Sequence, residues 1–153
     1  MYPIHRVFCA TAFELESERR ILEELFGSFN ETDAMPRGVL FAPLFLLRMR
    51  DKRPYQAEID DNIRECRYYL LALAGDWGPP ERNFKADYRL ALRCKDDPAL
   101  PMGDTAVLLR RYEDDPPPAP GLPAPAGKFE TPEQFAELFR GILARWLEET
   151  APK

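Results

Sequence analysis

Apolar residues in this chain fall in short runs separated by longer amphipathic stretches, and the two kinds of segment alternate. Residues 6–10 (Arg-Val-Phe-Cys-Ala) form a compact apolar run rich in strand-favouring side chains. Thr11 and Glu14 follow at the spacing of a capping box and predict an immediate helix, with Phe13, Leu15, Leu22, Leu25, Phe26 and Phe29 on its apolar side. Glu16, Arg19, Arg20, Glu23 and Glu24 supply its solvated side. Residues 38–47 are continuously apolar, the signature of a strand covered on both faces, but Pro43 removes a ladder donor and predicts a sheet edge or a bend. A basic loop over residues 48–53 leads to a helix from about Pro54, carrying Ile59, Ile63 and Cys66 at i, i+4 and i+7.

The second half repeats the alternation. Residues 68–74 (Tyr-Tyr-Leu-Leu-Ala-Leu-Ala) have no polar interruption and end in the turn signal Gly75-Asp76-Trp77-Gly78-Pro79-Pro80. Asn83 is placed to cap a helix with Phe84, Tyr88, Ala91 and Leu92 on one side, and residues 105–109 predict a fourth strand. Residues 114–127 hold Pro116, Pro117, Pro118, Pro120, Pro123 and Pro125, which favours an extended surface crossing. Thr131, Pro132 and Gln134 then form a capping box with proline at the first helical position. Behind it Phe135, Leu138, Phe139, Ile142, Leu143 and Trp146 make an apolar stripe, so a docking helix is expected over residues 131–149.

Strand–helix alternation with two-sided apolar strands implies an α/β fold: a three-layer, flavodoxin-like arrangement with a mostly parallel sheet of four to five strands and helices on both faces. The whole chain, residues 1–153, is expected to form one domain, because the segment behind the proline crossing is too short to fold alone. In such sheets ligands bind outside the carboxyl ends of the strands, near the switch point. The loops over residues 10–13, 47–53 and 75–83 are therefore the ones to watch.

Composition narrows the function classes. With 45% apolar and 31% charged residues in 153, the chain suits one globular domain that needs neither disulfide nor metal to hold it. A net charge of −5 has the wrong sign for a general nucleic-acid binder. Three widely spaced cysteines (Cys9, Cys66, Cys94) exclude a disulfide framework and a thiolate zinc site, and with one histidine, His5, no metal cluster is expected. His5 itself reads as a surface residue ahead of the first strand. No apolar run reaches the roughly 20 residues of a membrane span, and the first residues lack signal-peptide character, so a cytoplasmic protein is expected. Gly-x-Gly-x-x-Gly, His-Glu-x-x-His and Cys-x-x-Cys do not occur, and Gly127-Lys128-Phe129 fails as a phosphate-binding loop at its last position. No cofactor is expected.

Three blocks carry a resemblance. Residues 7–19 (Val-Phe-Cys-Ala-Thr-Ala-Phe-Glu-Leu-Glu-Ser-Glu-Arg), residues 63–78 with Cys66, Tyr68, Tyr69 and the Gly75–Gly78 exit, and residues 86–91 (Ala-Asp-Tyr-Arg-Leu-Ala) occur in this order. Together, over residues 6–111, they resemble a domain of unknown function associated with NACHT-type ATPases. That family is similar in fold to TIR domains and nucleoside 2-deoxyribosyltransferases, which either cleave N-glycosidic bonds of nucleotides or assemble signalling complexes. The resemblance implies a nucleotide or nucleoside ligand at the strand ends, with N-glycosidase activity, or a non-catalytic module that associates with itself or a protein partner. The chain departs from the pattern at Asp87, where the family has Glu, and at Arg67, where it has an acid. The acid usual after the second strand is missing, and Arg48 and Arg50 lie nearby instead.

Asp87 is the candidate catalytic carboxylate, since a carboxylate beside the ribose stabilises an oxocarbenium-like state; its structural alternative is to complement a helix dipole. Thr11 and Ala12 are candidates for holding phosphate at a helix start, against plain capping. Trp77 can stack on a base and Asp76 lies beside it, against a turn acid next to a half-buried indole. Arg48 and Arg50 suit phosphate oxygens, against a solvated loop.

Overall fold

A computed structural model describes residues 2–45 and 56–152. Five strands, β1 (Ile4–Thr11), β2 (Leu40–Leu44), β3 (Tyr68–Leu73), β4 (Asp104–Arg110) and β5 (Gly127–Phe129), form one sheet in the order β2-β1-β3-β4-β5, with every pair parallel. Four helices, α1 (Glu16–Phe29), α2 (Gln56–Glu65), α3 (Phe84–Asp96) and α4 (Pro132–Thr150), pack on it. The fold is α/β with flavodoxin-like topology, and the order reverses between β1 and β3. No helix among the described residues is long and apolar enough to cross a membrane.

Neighbouring tyrosines on β3 show how the layers are assigned, because successive strand residues face opposite sides. Tyr68 stacks on Trp146 of α4 with ring centroids 4.3 Å apart, whereas Tyr69 faces Tyr88 of α3. α1 joins α4 on the first face through Phe26 and Phe139, and α2 lies with α3 on the second. All six residues of β3 are buried, as its unbroken apolar run predicts for a central strand.

β2 differs from its expectation. Pro43 does sit on an edge strand, but only Phe41 of the five residues is buried, because an edge strand has one neighbour and no second layer beyond it. The open side of β2 is closed by a side chain. Asn30, at the start of a π-helical turn (Asn30–Ala34), donates from Nδ2 to the Phe41 carbonyl (2.8 Å) and accepts from the Phe41 N–H (2.9 Å). Its amide thus takes the place of a further strand's peptide. Asn30→Ala is expected to cost about 1–2 kcal/mol for two lost, partly buried hydrogen bonds. Urea denaturation checks it; a loss under about 0.5 kcal/mol would mean water replaces the amide fully.

The capping box proposed at Thr11 and Glu14 does not form. Thr11 is still in the ladder, paired with Ala72, and α1 begins only at Glu16 with Leu15 at its cap and no side-chain cap. Sheet pairing holds Thr11 extended, and the Thr11 hydroxyl instead accepts from Arg19 Nη1 at 3.1 Å, drawing Arg19 off the solvated face. Phe13, expected on the apolar side, is exposed in the turn between. At α4 the local signal holds: Thr131 and Gln134 cap each other's backbone, with Pro132 at the first position. Leu92 is exposed, and the buried stripe of α3 runs through Phe84, Asp87, Leu90, Ala91 and Cys94. His5 is half-buried rather than superficial, its ring 5.9 Å from Phe41, and burial lowers its pKa.

The three cysteines are buried and unpaired, and burial pushes the Cys66 thiol up to about 12. The crossing from β4 to β5 has no helix, and partly buried Leu122 packs against the core from it. β5, where the crossing ends, is a fifth strand.

Candidate functional site

β1 and β3 run side by side and end together, so the loops leaving them flank one place on the sheet. The Ala12 N–H extends the ladder by donating to the Ala72 carbonyl at 2.9 Å, and the Leu15 N–H donates to the Ala12 carbonyl at 3.0 Å. These bonds make a tight turn and occupy the Ala12 amide. From β3 the chain turns at Gly75, whose φ of 127° excludes most side chains and where a Cβ would meet the Arg111 guanidinium. Asp76 Oδ1 then accepts from the Gly78 N–H at 2.8 Å, an Asx turn closed by Gly78 at φ 81°. Asn83 caps α3 by accepting from the Ala86 N–H at 3.0 Å.

These turns deliver Asp87 into the interior. It lies one turn inside α3, on the buried stripe rather than its flank, with no exposed surface. Oδ1 accepts from Gln56 Nε2 of α2 at 2.8 Å, and Oδ2 pairs with Nη1 of Arg82, itself buried and 4.4 Å over the Phe84 ring. Burial raises the Asp87 carboxyl above the usual carboxylate range, against the opposing pull of the Arg82 guanidinium and the Gln56 amide. Among the described residues the carboxylate therefore faces two protein donors, one on each oxygen.

Around this network stand three aromatic residues. Tyr69 and Tyr88 have ring centroids 6.3 Å apart, as have Tyr88 and Trp77. The Tyr69 hydroxyl and the Trp77 indole N–H are buried, and neither has a hydrogen-bond partner among the described residues. Burial holds Tyr69 protonated well above its ordinary pKa, helped by the Asp87 charge and opposed by Arg82. Phe13 from the turn after β1 reaches Phe84 at 6.3 Å, which joins that turn to the start of α3.

Of the residues singled out in the sequence, Asp87 and Trp77 thus belong to one neighbourhood. Asp76 lines a separate cleft of about 350 Å³ with Arg110, Arg111 and Tyr112. Thr11 bonds Arg19, beside the buried Glu18. Arg48 and Arg50 lie outside the described residues. Arg82, Gln56 and Tyr69 are members that sequence reasoning missed. The only trace was the unpunctuated Tyr68-Tyr69 entry to the central strand, which signals burial and not chemistry.

No family model matches this chain, and no curated protein matches it in sequence.

Proposed function

We propose that the chain is a TIR-like domain that binds a nucleotide or nucleoside at the carboxyl ends of β1 and β3. The observation that supports it most is the coincidence, beside the sheet's switch point, of a buried carboxylate–guanidinium pair with two buried polar groups that lack partners among the described residues. Buried donors and acceptors are nearly always satisfied, so a pair of exceptions in one place suits a site completed by a ligand. The Trp77 indole offers a face to a base, and Arg82 a fork to a phosphate or a ribose hydroxyl.

Binding is favoured here over turnover. N-glycosidic cleavage needs a carboxylate against the ribose, and Asp87 is engaged by Arg82 and Gln56. The same observation supports a second reading, a non-catalytic module that assembles with itself or a protein partner.

Thermal melts with millimolar nicotinamide dinucleotide or a nucleoside 5′-monophosphate test the proposal. Ligand at 100 times its Kd adds about 2.7 kcal/mol, which is roughly 5–10 °C for a chain of this size. The rise should shrink in Asp87→Asn, and chromatography should find no free base released. Unchanged melts with every nucleotide would remove the binding reading. Concentration-dependent light scattering would then support the module.

A further inference from the structure

The crossing from β4 to β5 carries Asp115-Pro116-Pro117-Pro118-Ala119-Pro120 at its middle. A proline ring fixes its own φ and keeps the preceding residue out of the helical region, so residues 115–117 and 119 are biased to extended backbone by covalent restriction. These restrictions favour polyproline II geometry, three residues per turn, which needs no internal hydrogen bonds. The fold pins this run. Arg111 Nη2 donates to the Pro116 carbonyl, the Ala119 N–H donates to the Gly75 carbonyl at 2.9 Å, and the Tyr112 N–H donates to Asp115 Oδ2 at 2.8 Å. Gly121, at φ 85°, turns the chain at its end.

The exposure pattern is the informative part. Asp115, Ala119, Leu122, Pro123 and Pro125 are turned partly inward, while Pro116, Pro117, Pro118 and Pro120 are exposed. The rings of Pro118 and Pro120 face water, and those of Pro116 and Pro117 are exposed at the rim of the cleft over Gly75 and Asp76, whereas Pro123 and Pro125 turn partly inward. Pro117 and Pro120 are one turn apart, about 9 Å along the strip. Ahead of them Glu113 and Asp114 are exposed acids.

We propose that this strip is a docking surface for a polyproline-reading protein domain whose aromatic groove has a basic rim. Such grooves take up prolines already held in polyproline II geometry, so little order is lost on binding. The acidic flank selects a basic rim over an acidic one by charge complementarity. The strip rests on the Gly75 end of the turn that carries Trp77, but Pro117 and Pro120 do not touch the Asp87–Arg82 pair, and its test does not depend on nucleotide binding.

The test titrates the 15N-labelled full chain with two purified probes, a WW domain with lysine and arginine around its groove and an SH3 domain with an acidic rim. Prolines have no N–H, so the amides of Asp114, Asp115, Ala119 and Gly121 report. Saturable shifts confined to these amides are expected with the WW domain, with binding to the SH3 domain at least about tenfold weaker. The joint substitution Pro117→Ala and Pro120→Ala should abolish the shifts while leaving the rest of the spectrum in place. Asp114→Lys, an exposed change that spares the prolines, should weaken binding by itself. No shift with either domain at about 1 mM, shifts that survive the double substitution, or a preference for the acidic rim would overturn the proposal.

Discussion

Replacing Arg82 with methionine is expected to destabilise the fold by about 3–5 kcal/mol at neutral pH. The substitution keeps most of the stem that packs over Phe84 but leaves the buried Asp87 carboxylate with Gln56 as its remaining donor among the described residues. An uncompensated buried charge, and not the loss of the pair's own attraction, makes the effect large. Changing Asp87 to leucine together with Arg82 to methionine should therefore recover much of the loss. The pH dependence has a definite sign. Asp87 in the folded chain titrates above its unfolded value, so the native state binds the proton more readily. Its contribution is most favourable below the unfolded pKa and is lost as pH rises through the folded one. Without Arg82 the guanidinium no longer opposes burial, so that window extends upward, and the variant's deficit should narrow in mild acid. Urea titrations from pH 4 to 8 read both effects. A pH-independent loss below about 1 kcal/mol would show that water reaches the carboxylate.

Trp146→Ala should be comparably severe, about 3–5 kcal/mol, or a melting temperature lower by roughly 10 °C. Trp146 is fully buried, stacks on Tyr68, meets Phe139 edge-on at 5.9 Å, and donates from Nε1 to Asp104 Oδ2 at 2.8 Å. Removing it opens a cavity between α4 and β3 and takes a donor from Asp104. Trp146→Phe separates the two losses, since it keeps a ring and deletes the N–H. Burial by itself would raise the Asp104 carboxyl, but Trp146, Arg145 and Lys95 together hold it below the ordinary range. Asp104 thus stabilises above its unfolded pKa, and this contribution disappears as pH falls through the folded pKa. In Trp146→Phe the acid limb should be shallower than in the parent. An identical limb would mean that the two basic side chains suffice.

The residues that were legible and those that were not differ in the range of the interactions involved. Thr131, Pro132 and Gln134 announced a helix start because each partner lies within four residues, and the structure keeps that cap intact. Thr11 and Glu14 display a similar spacing, yet the ladder bond from Ala12 to Ala72 overrides it. A local signal holds only where no stronger distant partner competes for the same backbone. Asn83 had no such competitor and caps α3 as expected. A sheet of four to five strands leaves room for β5, but its place is not legible, because three residues behind a proline-rich crossing carry no periodicity to read.

From the chain alone came the alternation of elements, the burial of residues 68–73, an edge or a bend at the strand holding Pro43, and hence a flavodoxin-like sheet. Those features follow from the local pattern of apolar side chains and from proline's missing donor, which no packing can restore. Tertiary structure decided the environment of Asp87. Gln56 stands 31 positions away on another helix, and Arg82 reaches the same carboxylate because a turn folds it back. Whether a first-turn acid meets water or a buried guanidinium depends on how two helices lie against one sheet, and that free energy belongs to the assembled layers rather than to any stretch of sequence.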